Sequence, residues 1–199
     1  MPDKQDITAV ILAGGEARRM HGEDKGLIML GNEPMVKYIL GIMQPQVSNI
    51  LINANRNIDD YAQYQYPVIS DSLSGFCGPL AGIASAMEQT DTEYLVSAPC
   101  DSPFIPADLV QRLAENIGAN EIAVAHNGER IQPVFSLLDT SLLDSLQDYL
   151  NAGERKIDRW FNMHSYTEVD FSDHPHAFMN INTPAELEQA EALLSKTRA

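Results

Sequence analysis

Positive charge is scarce in this 199-residue chain: 13 Lys and Arg stand against 28 Asp and Glu, for a formal charge of −15. A surface this acidic repels phosphate backbones and anionic lipid headgroups, which argues against nucleic acid or a membrane surface as partner. Cysteine is scarcer still. Cys77 and Cys100 lie outside any CxxC or CxxH spacing, so neither a zinc site nor a disulfide framework is indicated, and both read as buried or semi-buried thiols. Long apolar runs are missing too. The longest, residues 9–13, falls far short of the ~20 residues a spanning helix needs, and the opening MPDKQD has no basic region of a secretory signal. A cytoplasmic protein is expected.

No repeat, low-complexity tract or linker interrupts the chain, so one domain over residues 1–199 is expected. At 44% apolar and 21% charged residues the composition is that of an ordinary globular protein. A domain of this length buries about 70% of its unfolded surface without covalent staples. Short apolar runs recur at 8–12, 50–52, 67–69, 94–96 and 122–125. Between them lie stretches with helical spacing at 34–43, 80–88, 106–116, 141–150 and 184–194, with Pro34 suited to a first helical position and Asn182-Thr183 to a cap. Strands apolar throughout and interleaved with helices imply a mostly parallel sheet covered on both faces. The expected fold is therefore α/β, a three-layer α/β/α sandwich of Rossmann-like type. Asn127-Gly128 between two apolar runs reads as a hairpin turn, which makes part of the sheet antiparallel.

In such sheets ligands sit at the carboxyl ends of the strands. The first four runs empty into Ala13-Gly14-Gly15, Asn53-Ala54-Asn55, Ser70-Asp71 and Pro99-Cys100-Asp101. The first of these continues as LAGGEARRMHGEDKG over residues 12–26 and holds 3 of the 13 basic residues. Adjacent glycines let a backbone turn its N–H groups towards an anion, and Lys25 with Arg18 or Arg19 adds full charge. The same segment also reads as a solvated glycine-rich surface loop. Neither a Walker spacing nor a G-x-G-x-x-G fingerprint is present. Asp101 suits Mg²⁺, which prefers oxygen ligands, and it equally suits a turn cap. Asn53, Asn55 and Asp71 carry groups that read a base edge or a ribose hydroxyl, or that stabilise turns.

The run LAGG-x3-RM-x-G-x-DKG resembles the signature loop of the MobA-like nucleotidyltransferases and, among them, the molybdenum cofactor guanylyltransferases. The resemblance continues in order through NAN at 53–55, SDS at 70–72, GPLAG at 78–82, PCD at 99–101, RxQP at 130–133 and NINTPAEL at 180–187. The departure is His21, where the family usually has glycine. This resemblance implies a nucleotide-diphospho-sugar transferase-like fold, with a nucleotide-binding half over about 1–105 and an acceptor-binding half over about 106–199. It implies transfer of GMP from GTP to the terminal phosphate of molybdenum-molybdopterin, with Mg²⁺ as cofactor and Asp101 as its ligand.

By the same resemblance Leu12, Ala13, Gly14, Gly15, Lys25, Asn53, Asp71 and Asp101 bind the nucleotide, and Lys25, Asp101 and Arg19 act on the phosphates. The LAGG form, in place of LAAG, leans towards guanine. Arg130, Gln132, Asn180 and Asn182 line the acceptor side, although each alone reads as a surface or capping residue. Molybdenum-insertion proteins and molybdoenzyme apoproteins are the implied protein partners, and a monomer is expected. Two other readings stand beside this one: a relative using another base or acceptor, such as a cytidylyl or sugar-phosphate enzyme, and a non-catalytic GTP-binding delivery module.

Overall fold

The apolar run ITAVIL forms β1 (Ile7–Leu12), the strand from which the sheet grows in both directions. In this computed structural model, which describes residues 1–13, 24–72 and 78–197, β1 pairs in parallel with β4 (Asn49–Asn53) and with β6 (Tyr94–Pro99). Beyond β4 lies the short β5 (Val68–Ile69), again parallel. Beyond β6 the direction reverses: β8 (Ile131–Asp139) is antiparallel to β6 and to β7 (Ile122–His126), and β7 is parallel to β9 (Tyr166–Asp170). The seven-stranded order is β5-β4-β1-β6-β8-β7-β9.

Strand alternation sorts the core into two faces. Ile7, Ala9, Ile11, Ile50, Ile52, Val96 and Ala123 point to one side, where α1 (Met35–Met43) and α4 (Leu109–Asn116) cover them. On the other side Val10, Leu51, Leu95, Ile122 and Val124 meet α3 (Pro79–Met87), α5 (Leu143–Asn151) and α6 (Ile157–Phe161). Both faces are dry, which is why these strands carry apolar runs and not alternation. A third, smaller cluster joins α7 (Pro184–Thr197) to the hairpin of β2 (Met29–Leu30) and β3 (Glu33–Pro34) through Leu30, Met35, Ile181 and Ala190.

Several helix starts differ from expectation. Pro34 is the last residue of β3, with extended backbone, because it pairs with Met29; helix α1 begins one residue later. A turn closed by Leu109 N–H on Pro106 C=O delays α4 to Leu109. Asp139 accepts from Ser141 N–H and opens a 3₁₀ turn, Thr140–Leu142, ahead of α5. The Asn127-Gly128 hairpin is as expected: Asn127 Oδ1 accepts from Arg130 N–H at 2.9 Å and Gly128 has φ +91°. Among the described residues no helix is long and apolar enough to cross a membrane.

Candidate active site

β1, β4, β5 and β6 run the same way, so their carboxyl ends share one edge of the sheet. Backbone bonds extend the ladders past the strand ends: Ala13 N–H to Asn53 C=O at 2.8 Å, Ala54 N–H to Ile69 C=O at 2.8 Å, and Cys100 N–H to Leu12 C=O at 3.0 Å. These bonds tie Ala13, Ala54 and Cys100 to the neighbouring strand ends. Between them opens a cleft of about 380 Å³, lined by Leu12, Ala13, Lys25, Asn53, Asp71 and Asp101 together with Asp24, Gly78, Pro79, Pro99, Cys100, Val134 and Asn180.

Lys25 sits in a 3₁₀ turn, Lys25–Leu27, and its Nζ reaches across to Asp101 Oδ2 at 2.8 Å and to Asn182 Oδ1. Asp101 is 7% exposed, and its other carboxylate oxygen, Oδ1, is buried and accepts no hydrogen bond among the described residues. A buried acceptor without a donor is costly unless something binds it. The chain returns to this point through Ile181 N–H, which donates to Asp101 C=O at 2.9 Å, and through Ser102 Oγ, which donates to Asn180 Oδ1 at 2.6 Å. Residues 180–182 are thereby stitched to the end of β6.

At the opposite wall Asp71 is held by both asparagines of the second strand end. Asn53 Nδ2 donates to one carboxylate oxygen at 2.9 Å and Asn55 Nδ2 to the other at 2.8 Å, while Asp71 N–H donates to Asn55 Oδ1 at 2.9 Å. The GPLAG segment places α3 directly under this wall. Gly78 has φ +74° and ψ −169°, a conformation open to glycine alone, and Pro79 then fills the first helical position. Gly82 is pressed so close that a Cβ there would lie 2.7 Å from Leu12 Cδ2 and 2.8 Å from Asn53 Cγ.

Cys100 is fully buried, and burial, with Asp101 and Asp24 adding to it, pushes its thiol well above the ordinary range. It serves as packing and not as a nucleophile. Of the expected acceptor residues, Asn180 lines the cleft and Asn182 contacts Lys25, whereas Arg130 and Gln132 lie outside the cleft lining. Both belong to the hairpin that follows β7. Because β7 runs parallel to β6 through the intervening β8, that hairpin flanks the same edge of the sheet. Gly14, Gly15, Arg19, His21 and Cys77 lie outside the described residues.

Sequence reasoning passed over Asp24, Asn57, Tyr61 and Glu186. Asp24 carried a signal, the acid of the Asp24-Lys25-Gly26 run; its partners Asn57 and Tyr61 are 33 and 37 residues away in the chain, where no local pattern reaches. Outside the cleft lining, His164 Nε2 meets Ser145 Oγ at 2.9 Å and its ring packs edge-on against the buried Trp160.

Comparison with known proteins adds a family, two relatives and two solved structures. The model of the MobA-like NTP transferase domain matches residues 9–169. Molybdenum cofactor guanylyltransferase of Shewanella loihica is 53% identical over 185 residues, 92% of this chain and 94% of that one. Its counterpart in Shewanella sediminis is 51% identical over 192 residues, 96% and 98% of the two chains. Among solved structures, molybdopterin-guanine dinucleotide biosynthesis protein A from Archaeoglobus fulgidus superposes with TM-score 0.80 at 24% identity, over 95% of this chain and 99% of that one. A 4-diphosphocytidyl-2C-methyl-D-erythritol synthase from Anaerococcus prevotii superposes with TM-score 0.77 at 14% identity, over 97% of each. At such identities these two structures speak for the fold alone, the mostly parallel sheet with its flanking helices.

Proposed function

Because the chain belongs to the MobA-like NTP transferase family and is therefore a nucleotidyltransferase, we propose that it transfers GMP from GTP to the terminal phosphate of molybdenum-carrying molybdopterin and releases pyrophosphate. Relatives sharing half of its residues bear the name molybdenum cofactor guanylyltransferase. The single observation that carries the reading here is the convergence of Lys25 and Asp101, with Asn182 bonded to Lys25, in the cleft that Asn53 and Asp71 enclose from the other side. The reaction consumes GTP, a nucleotide of the cytoplasm, which is the compartment this reading assigns.

An acceptor phosphate is already an anion at neutral pH, so no general base is needed to create the nucleophile. Its oxygen forms the new bond to the α-phosphorus, and the bond from that phosphorus to the bridging oxygen of pyrophosphate breaks, the electron pair leaving with pyrophosphate. What remains for the protein is to align two polyanions and to neutralise charge on the equatorial and leaving oxygens. Lys25 supplies full charge on a fixed turn, and Asn182 and Asp101 hold its Nζ in place until phosphate oxygens replace them. Gly14, Gly15 and Arg19 belong to the same phosphate site in this reading. Asp71, its carboxylate oriented by two amides, and Asn53 face the nucleoside; Asn180 and Asn182, with Arg130 and Gln132 on the flanking hairpin, take the acceptor side.

Asp101 fits a magnesium ion, since its buried Oδ1 is a hard acceptor without a donor among the described residues. No group of three or more metal-binding side chains occurs among the described residues. The ion would be held by Asp101 with phosphate oxygens and water, as Mg²⁺ usually is in nucleotide sites. When bound it neutralises charge on the phosphate oxygens.

The test is pyrophosphate release with each of the four nucleoside triphosphates, with and without molybdenum-loaded molybdopterin. Release with GTP that requires the acceptor supports the reading. Release with CTP assigns another base, and GTP binding without release under any condition replaces the enzyme by a delivery module.

A further inference from the structure

Next to Lys25, in the lining of the same cleft, lies a charged group with no part in the chemistry above. Asp24 is 6% exposed and its side chain only 3%. A carboxylate so deeply placed is rare unless paired. Its partners come from two directions. Tyr61 OH on α2 (Ile58–Ala62) donates to Oδ1, as does Gly26 N–H at 3.3 Å. Asn57 Nδ2 donates to Oδ2 at 3.1 Å, and Arg56 Nε lies 3.7 Å from the same oxygen.

The segment that delivers these donors is held in an unusual conformation. Asn57, the residue before α2, has φ +51° and ψ 34°, a left-handed backbone that non-glycine residues seldom adopt. Such positions persist where surrounding structure over-determines them and recur at functional sites. Here the left-handed turn aims the amide at Asp24 while the Asn57 C=O accepts from Asp60 N–H and Tyr61 N–H to start the helix. Tyr61 is fully buried, and burial, with Cys100 and Asp24 adding to it, pushes its hydroxyl far above the ordinary range, so it stays protonated as a donor.

The consequence falls on Lys25. Leu27 N–H donates to Asp24 C=O at 3.0 Å and Ile28 N–H to Lys25 C=O at 3.2 Å, closing the turn. Gly26 is wedged against the end of β6, where a Cβ would lie 3.1 Å from Cys100 Cβ and 3.3 Å from its Sγ. The residues on either side of Lys25 are thus both fixed. We infer that Asp24 is a positioning residue for the transfer reaction, a buried carboxylate that clamps the Lys25 turn between α2 and the end of β6 so that the ammonium is presented to the triphosphate at one place. The inference rests on the reading of Lys25 as a phosphate ligand.

A double-mutant cycle tests it, with kcat and KM for GTP taken from pyrophosphate release at saturating molybdenum-loaded molybdopterin, and Tm recorded for every variant. Asp24→Asn keeps the shape and removes the charge. It is expected to lower kcat by about ten- to a hundredfold, the scale of a misplaced catalytic group, with KM for GTP moving much less. Tyr61→Phe, which deletes one donor, is expected to lower kcat less, and in the same sense. In a Lys25→Met background both substitutions should have almost no further effect, because the group they position is gone.

A fall in Tm with kcat unchanged assigns Asp24 to the scaffold alone and overturns the inference. So does an Asp24→Asn loss of equal size with and without Lys25. Near-normal turnover in Lys25→Met by itself would instead remove the assignment of Lys25, a separate outcome. If Asp24→Asn does not fold, the same cycle run with Tyr61→Phe and Asn57→Gly decides the matter, since each leaves the carboxylate in place and removes one donor.

Discussion

At Lys25 one ammonium contacts both Asp101 and Asn182, groups from the end of β6 and from the segment before α7. The pair is mostly buried, its side chains 24% and 10% exposed, so removing the cation strands a buried carboxylate. Lys25→Met should therefore lower the melting temperature and, separately, lower kcat by about 10²–10³-fold, the loss typical of removing one preorganised charge from a transition state. Steady-state pyrophosphate release with circular dichroism melts checks both parts; turnover within tenfold of wild type removes Lys25 from the phosphate site. The residues of this pair were legible in the sequence because each ends an apolar run or sits in a glycine-rich motif. That Asp101 leaves one oxygen buried and without a donor among the described residues was not, because satisfaction of a lone pair depends on every neighbour in three dimensions and not on spacing along the chain.

Elements set the distances between such residues, and α3 does so by proximity. Gly82 lets the helix lie against Asn53 and Leu12, where any Cβ would overlap them. Gly82→Ala should cost about 1–3 kcal/mol by overpacking and displace Asn53, so GTP affinity should fall along with Tm. Calorimetric titration beside thermal melts separates the two effects, and unchanged affinity would show that Asn53 has room to yield.

Helix α7 begins with a modified capping box. Thr183 Oγ1 accepts from Glu186 N–H at 3.3 Å, but Glu186 reaches one residue further back than usual and accepts from Asn182 N–H at 2.7 Å. That bond, with Thr183 and the charge of Lys25 in support, holds the Glu186 carboxyl below its ordinary value of 4.5. A lowered folded-state value means stability that is complete above the unfolded value and is lost as pH falls through the folded one. Against Glu186→Gln, the wild type should be more stable in urea by up to about 1 kcal/mol at pH 7, and the gap should close below pH ~4. A gap independent of pH would assign the effect to shape and not to charge. The box was half-legible, as Thr183 followed by Glu186, whereas α2 and α6, five residues each, are too short for any helical period to register.

Across the whole molecule, the halves proposed to bind the nucleotide (about 1–105) and the acceptor (about 106–199) share one sheet and cannot be parted cleanly. β6 pairs with β1 on one side and with β8 on the other, and each face of the sheet carries a core drawn from both halves. Ile7 and Val96 lie in the same cluster as Ala123 and Phe171; Val10 and Leu95 lie in the same cluster as Leu146 and Trp160. Separating them would expose both cores to water, which makes a single cooperative transition the expected behaviour. The chain has one tryptophan, Trp160, fully buried under the second half, where α6 packs against α5. Its fluorescence reports on a region outside the cleft lining, whereas far-ultraviolet circular dichroism reports on all helices. In urea the two should give the same midpoint. Magnesium and GTP at a hundred times Kd should then raise the unfolding free energy by about 2.7 kcal/mol and move both midpoints together, although the proposed site lies between the strand ends of the first half. A Trp160 transition that stayed in place while the circular dichroism transition moved would mean that the sheet yields at β6, and that the acceptor half unfolds on its own.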